Sequence, residues 1–111
     1  MPSYPYSTII IPTGSVPILQ PMFCNPSLEV YSVINNHANR LYTIPPGNKS
    51  ISLNPSNIYR FIFFNKELNS RWSLYIKIIL HYGDREVMLY QLAEQGIGQK
   101  FFRNDIIFQH Q

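Results

Sequence analysis

Turn signals interrupt this chain about every eight to twelve residues, a spacing that is typical of proteins built from many short strands. The segments between the turns are apolar, and most are shorter than the roughly ten to twelve residues of a typical helix. Alanine, the best helix former, occurs only at Ala38 and Ala93, whereas there are eight tyrosines and seven phenylalanines. Because aromatic and β-branched side chains favour sheets, the sequence predicts an all-β fold.

The best-defined strand runs from Trp72 to Leu80, where residues that would face a core alternate with residues that would face away. The next segment, Tyr-Gly-Asp-Arg at positions 82–85, is typical of a hairpin turn and predicts a second strand in residues 86–92. Residues 86–95 could instead form a short helix that ends at Gly96. We favour the strand because this segment follows a short turn from the best-defined strand.

Further strands are predicted in residues 28–34, 40–44, 49–53, 57–64 and 101–108, with polar loops in residues 35–39 and 95–99. Residues 57–64 are nearly all apolar, as in a strand that is covered on both faces. Roughly seven to nine short strands indicate a two-sheet antiparallel β-sandwich or a small barrel. Residues 41–47 are similar to turns that are common in immunoglobulin-like sandwiches. The predicted architecture is an immunoglobulin-like or jelly-roll-like sandwich.

Residues 1–26 are punctuated by prolines, which lack the backbone donor of a sheet ladder, so we expect neither a helix nor a central strand there. The segment is nevertheless too apolar for a flexible linker. We predict an extended N-terminal arm in residues 1–26 and a β-sandwich domain in residues 27–111. The arm could lie across its own sheet or across a neighbouring subunit. Its candidate interface residues are Tyr4, Tyr6, Ile9, Ile10 and Ile11.

No pattern in the chain indicates catalysis, a metal site or a cofactor. The three histidines lack the close spacing of a zinc site, and a single cysteine allows no intrachain disulfide. The carboxylates are few, and Gly96-Ile97-Gly98 lacks the rest of a phosphate-binding loop. We therefore expect a non-enzymatic protein without a cofactor. The residues weighed for these roles are His37, His81, His110, Cys24, Asp84 and Glu86.

Aromatic residues close to cations are a weaker signal. Arg60 lies among aromatic residues in one predicted strand, and Trp72 and Tyr75 accompany Lys77 in the next. Sheets that bind single-stranded nucleic acids use aromatic platforms flanked by basic residues. The basic residues of this chain, however, are spread along it without a run, at a net charge of +3. Arg60, Trp72 and Tyr75 are candidate stacking or ligand contacts, and nucleic-acid binding is not favoured.

Charged residues make up only 14% of the chain, against about 25% in typical globular domains. Such a surface is either solvated by uncharged polar residues or covered by protein. We favour the second and expect a structural assembly protein, either a homo-oligomer or a part of a larger assembly. The excess of Ile, Asn, Tyr and Phe is what an AT-rich genome encodes. It suits a small virion component, such as a capsid decoration, connector or tail protein.

Two alternatives stay open at this point. One is a β-sandwich module that binds a receptor, a glycan or a host factor, and the other is a protein that binds single-stranded nucleic acid. The first residues lack the basic region and the long apolar stretch of a signal peptide. The longest apolar run, residues 76–80, is far too short to span a bilayer. We therefore expect synthesis in the cytoplasm, with a virion as one candidate destination.

Overall fold

The computed structural model describes residues 6–44 and 49–111, which form nine strands and no helix. The predicted all-β class is confirmed. None of the described residues belongs to a helix of the length and hydrophobicity that would cross a membrane. The strands are β1 Tyr6–Ile11, β2 Pro17–Asn25, β3 Leu28–Ile34, β4 His37–Ile44, β5 Ile51–Ser52, β6 Ile58–Asn65, β7 Arg71–Tyr82, β8 Arg85–Ile97 and β9 Lys100–His110.

The strands form two sheets. The first has the order β1-β9-β6-β3-β4, and the second has the order β5-β2-β7-β8. All described pairs are antiparallel except β1 and β9, which run parallel from the pair Tyr6–Asp105 to the pair Ile11–His110. The expected purely antiparallel arrangement is therefore wrong at this one pair. A parallel pair needs a long connection, and here the whole chain between β1 and β9 supplies it.

Residues from both sheets pack into one hydrophobic core, which makes the fold sandwich-like. The Cα atoms span only 19 Å along the shortest axis, as expected for two sheets about 10 Å apart. An immunoglobulin-like or jelly-roll-like type stays a prediction. The side chains with the least exposure include Ile11, Leu28, Val30, Phe61, Phe63 and Ile106 from the first sheet and Leu19, Leu74, Ile76 and Ile78 from the second.

The proline-rich segment contributes two strands to these sheets. β2 pairs with β7 along its length and with β5 at Ile18 and Leu19, so the prediction that this segment contains no central strand is wrong. Proline is tolerated because Pro17 is the first residue of β2 and because the pairing with β7 shifts register directly after Pro21. The missing backbone donors thus fall at a strand start and at a bulge, where ladders are interrupted anyway.

The predicted arm residues divide between the two sides of β1. Ile9 and Ile11 are buried in the core of the same chain, which corrects the expectation that their side chains fill grooves on a neighbour. Tyr6 and Ile10 point away from the core and are more than half exposed. Tyr4 lies outside the described residues. The described part of the arm therefore packs against the sheets of its own chain.

Among the differences from the prediction are the extents of two strands and the burial of a third. Residues 37–39, expected in a loop, belong to β4, because Asn35 and Asn36 alone make the turn after β3. Residues 86–95 are a strand, as favoured, but this strand continues through Ile97 into the expected loop. Residues 57–64 were expected to be covered on both faces, yet Phe64 is exposed. β6 belongs to the first of the two sheets, and only the face of this sheet that is turned towards the second sheet meets the core.

Candidate interaction surfaces

The three histidines considered for catalysis or metal binding lie on three different strands. His37 follows the turn between β3 and β4, His81 precedes the turn between β7 and β8, and His110 ends β9. No group of three or more His, Cys, Asp or Glu residues with metal-binding geometry occurs among residues 6–44 and 49–111. The described histidines therefore do not belong to such a metal-binding group.

Cys24 is a core residue with an exposed fraction of only 3%. Burial raises the pKa of its thiol to about 11, although a hydrogen bond with the backbone of Tyr75 acts in the opposite direction. Because the thiolate is the nucleophilic form, a thiol with this pKa is essentially unreactive at neutral pH. Cys24 therefore behaves as a small apolar side chain.

Trp72 is not available as a stacking platform, which corrects that prediction. Its exposed fraction is 8%, and its ring lies 5.9 Å from that of Phe63 between centroids. The ammonium group of Lys100 lies 5.4 Å from the centroid of the indole, within cation–π distance. On β8, Gly96 faces Trp72 so closely that a Cβ atom there would lie 2.8 Å from the ring. The indole is enclosed by its own chain.

The other two candidate ligand contacts lie on opposite sides of the molecule. Tyr75 points outward from the second sheet, where it pairs with Phe23 of β2. Arg60 points outward from the first sheet and binds Asp105 through two hydrogen bonds of 2.9 and 3.2 Å. The structure therefore does not bring Arg60, Trp72 and Tyr75 together. The guanidinium of Arg60 is already engaged by a carboxylate of the same face.

Exposed apolar side chains occur at the end of the molecule where β6 and β8 end and where β9 begins. Phe64 and Phe101 point outward from the first sheet, whereas Ile97, which lies opposite Arg71, points outward from the second. Phe64 and Phe101 face each other across β6 and β9, with edge-to-face rings whose centroids are 6.1 Å apart. Leu68 lies in the loop between β6 and β7, and Ile97 ends β8. Each of the four is between 54% and 71% exposed. We refer to Phe64, Leu68, Ile97 and Phe101 as the end patch.

Hydrogen bonds hold the loops of the end patch in place. Asn65 is buried, and its amide nitrogen donates to the backbone oxygen of Gly98 at 2.7 Å. The backbone nitrogen of Gly98 in turn donates to the oxygen of Ser70 at 3.0 Å, and the hydroxyl of Ser70 donates to the Asn65 amide oxygen. Gln99 adds a bond to the backbone oxygen of Lys66. These hydrogen bonds connect the loop between β6 and β7, which carries Leu68, to the turn between Ile97 of β8 and Phe101 of β9.

The second notable surface is the outer edge of β8. This strand has 13 residues, ends the order of the second sheet and, among the described strands, pairs only with β7. Val87 and Met88 are exposed at its first half, whereas Leu89, Tyr90 and Leu92 are partly buried and pack against the core. An unpaired edge of this length presents a row of free backbone donors and acceptors.

Sequence patterns did not reveal the end patch. Phe64 and Phe101 stand in apolar runs that resemble core strands, and Leu68 and Ile97 are isolated apolar residues in polar surroundings. Only the cross-strand register of β6 and β9 and the short connection through Gly98 bring them to one end of the molecule. No family model, no curated protein and no solved structure matches this chain.

Proposed function

We propose that this chain is a non-enzymatic assembly protein that joins copies of itself into a larger structure through the end patch. The observation that carries the proposal is the pair of exposed rings of Phe64 and Phe101, which meet edge to face across β6 and β9 at the end of the molecule where Leu68 and Ile97 are also exposed. Exposed apolar clusters on folded proteins commonly mark docking surfaces.

The free energy available from burying the exposed phenylalanine rings is consistent with this role. A phenylalanine side chain buries on the order of 150–250 Å² when it is fully covered. At about 25 cal/mol per Å², hiding the exposed 54% of Phe64 and 62% of Phe101 contributes roughly 4–7 kcal/mol. Association costs an estimated 4–15 kcal/mol, so the patch stabilises an assembly only together with a second contact or with many copies.

We further propose that the assembly is a virion component, such as a capsid decoration, connector or tail structure. Three features support this: the low content of charged residues, the excess of residues that AT-rich codons encode, and a two-sheet all-β fold. Jelly-roll domains, which also consist of two packed sheets, are common in viral capsids. A jelly-roll-like or immunoglobulin-like sandwich is the corresponding proposal for the fold type.

The end patch is tested by replacing both of its rings. Phe64→Thr with Phe101→Thr keeps residues that suit a strand and removes the exposed apolar area. We expect analytical ultracentrifugation to show large assemblies of the wild type and much smaller species of this double variant, with unchanged circular dichroism. The matched control is Phe23→Thr, because Phe23 is an equally exposed phenylalanine on another face. Assemblies that survive the double variant, or that only the control disrupts, would contradict the role of the patch.

A second candidate function, glycan binding, is supported by the outer face of the second sheet. There Phe23 and Tyr75 are cross-strand partners, and Gln20, Lys77 and Gln91 form the neighbouring row. Aromatic rings beside amide groups suit the apolar faces and hydroxyls of a sugar. A glycan array on the isolated protein tests this candidate. Binding that Phe23→Thr abolishes would support it, and no binding to any glycan would remove it.

A further inference from the structure

The outer edge of β8 lacks most of the devices that keep sheet edges apart. Proteins protect such edges with lysines, prolines, inward-pointing charges, bulges or very short strands. β8 has 13 residues, contains neither lysine nor proline, and carries charge only at Arg85, Glu86 and Glu94. Its protective features are the inward-pointing charges of Arg85 and Glu94 and a bulge: Ile78 faces Tyr90 and Ile79 faces Met88, which leaves Leu89 without a partner on β7.

The bulge determines which side chains of β8 share a face. Tyr90, Leu92 and Glu94 lie opposite the buried residues Ile78, Ile76 and Leu74, so they belong to the inner face. Leu89 also packs against the core, and it therefore shares that face with Tyr90. Before the bulge the alternation is reversed, so that Arg85 and Val87 point inward and Glu86 and Met88 point outward. After the bulge, Gln91, Ala93 and Gln95 point outward.

We propose that β8 pairs with β8 of a second copy of this chain, antiparallel, about a twofold axis between Leu89 and Tyr90. Arg85 then lies opposite the partner's Glu94, Val87 opposite the partner's Leu92, and Met88 opposite the partner's Gln91. The two four-stranded sheets become one continuous sheet across the axis. This proposal rests on the proposed function, because it supplies the second contact that the end patch requires.

Face matching selects this register. Residues directly opposite each other in an antiparallel pair point to the same face. In the proposed register every inner residue from 85 to 94 meets an inner residue, and every outer residue meets an outer one, because the two bulges meet at the axis. A shift by one residue places inner residues opposite outer ones along the whole strand. A shift by two residues creates the same mismatch next to each bulge.

Charge supports the same register. The only cation of β8, Arg85, lies at one end of the strand, and Glu94 lies near the other end. Antiparallel self-pairing therefore brings each Arg85 to a Glu94 of the second copy, twice by symmetry. Glu86 lies opposite Ala93, so no like charges face each other. The apolar pair Val87–Leu92 covers part of the inner face near the axis.

Disulfide trapping tests the register. Met88→Cys with Gln91→Cys places two facing pairs at Cα distances of about 4.5–5.5 Å, which suits a disulfide. Glu86→Cys with Gln95→Cys is the matched control, because these positions point to the same face but are diagonal, about 7–8 Å apart. We expect mild oxidation to produce a covalent dimer of the first variant and not of the control. A dimer of the control alone, or of neither variant, would overturn the proposal.

A charge exchange provides a second readout. Arg85→Glu and Glu94→Arg should each reduce dimer formation in ultracentrifugation, because each places like charges opposite one another. The double exchange should restore the dimer. A double variant that dissociates further than either single variant would contradict the pairing of Arg85 with Glu94.

The variant Phe64→Thr with Phe101→Thr separates the two proposals. If both are right, this variant remains a dimer and Met88→Cys with Gln91→Cys still traps it. If it becomes a monomer, the pairing through β8 is wrong while the end patch stands. If the wild type is itself only a dimer, unaffected by the patch variant and trapped by the cysteine pair, the end patch is wrong while β8 pairing stands. A monomeric wild type contradicts both.

Discussion

Gly96 is the residue where packing leaves the least room for change. It lies opposite Trp72 in the pairing of β7 with β8, and a Cβ atom there would lie 2.8 Å from one ring atom and 2.9 Å from two more. The ring cannot retreat freely, because Phe63 packs against it and Lys100 lies over it. Gly96 was expected in a loop, but it lies in β8. Because it has no side chain, it leaves room for the indole of Trp72.

We therefore expect Gly96→Ala to lower the free energy of unfolding by about 1–3 kcal/mol, the usual cost of overpacking. Urea denaturation followed by tryptophan fluorescence measures this directly. Gln95→Ala is the control on the same strand, since Gln95 is exposed, and it should change stability by less than about 0.5 kcal/mol. Equal stability of Gly96→Ala and the wild type would show that the indole is not confined.

Cys24 gives the folded protein a pH dependence in the alkaline range. Burial raises the pKa of its thiol from 9.0 to about 11, so the unfolded chain loses this proton first. The stability is then complete below about pH 9 and falls as the pH rises towards 11, by up to about 3 kcal/mol. The pKa of Tyr90 is also raised by burial, which extends the decline in the same direction.

Cys24→Ala isolates the contribution of the thiol. This variant lowers stability by a constant amount through the lost packing, but the part of the alkaline decline that begins near pH 9 should be weaker than in the wild type. Urea midpoints between about pH 7 and 10.5 provide the comparison. Parallel curves for the two proteins would mean that the thiol ionises normally in the folded state.

At the scale of elements, the hairpin of β3 and β4 depends on a two-residue turn. Asn35 and Asn36 have φ values of 51° and 64°, and Ile34 pairs with His37 across them. Two successive residues with positive φ are the mark of a type I′ turn, in which asparagine and glycine are preferred. Residues 35–39 were expected to form one polar loop, because the polar residues of β4 hide the point where the strand begins.

Asn36→Ala should therefore destabilise the protein by about 1 kcal/mol, the cost of forcing an ordinary side chain into the left-handed region. Asn39→Ala, an exposed position within β4, is the control and should have little effect. Thermal unfolding of both variants measures the difference. A loss of stability only in Asn39→Ala would show that the turn does not restrain the hairpin.

Strands with clear alternation were predictable, and strands with prolines or polar faces were not. β7 follows its sequence pattern, since Trp72, Leu74, Ile76, Ile78 and Leu80 are all buried, except that Ile79, expected to face away from the core, is buried as well. β2 could not be predicted, because the position of a proline relative to a bulge depends on the partner strand. The same holds for Asn104, which is buried and donates hydrogen bonds to Ser7 of β1 and Tyr90 of β8.

At the scale of the whole molecule, the number of sheets was predictable, but the exposed apolar and edge surfaces were not. The many short apolar segments and the scarcity of alanine were sufficient to predict an all-β fold. The parallel pairing of β1 with β9, the burial of Ile9 and Ile11, and the position of the end patch all depend on which strands become neighbours. Neighbour relations between distant segments leave no local signal in a single sequence.

The central claim is that the protein acts by associating with copies of itself through exposed apolar and edge surfaces. Sedimentation equilibrium of the wild type tests it most directly. Over about a hundredfold range of concentration, the account predicts an average mass that rises to several times the 13.0 kDa of one chain. A mass of 13.0 kDa at every concentration would contradict it.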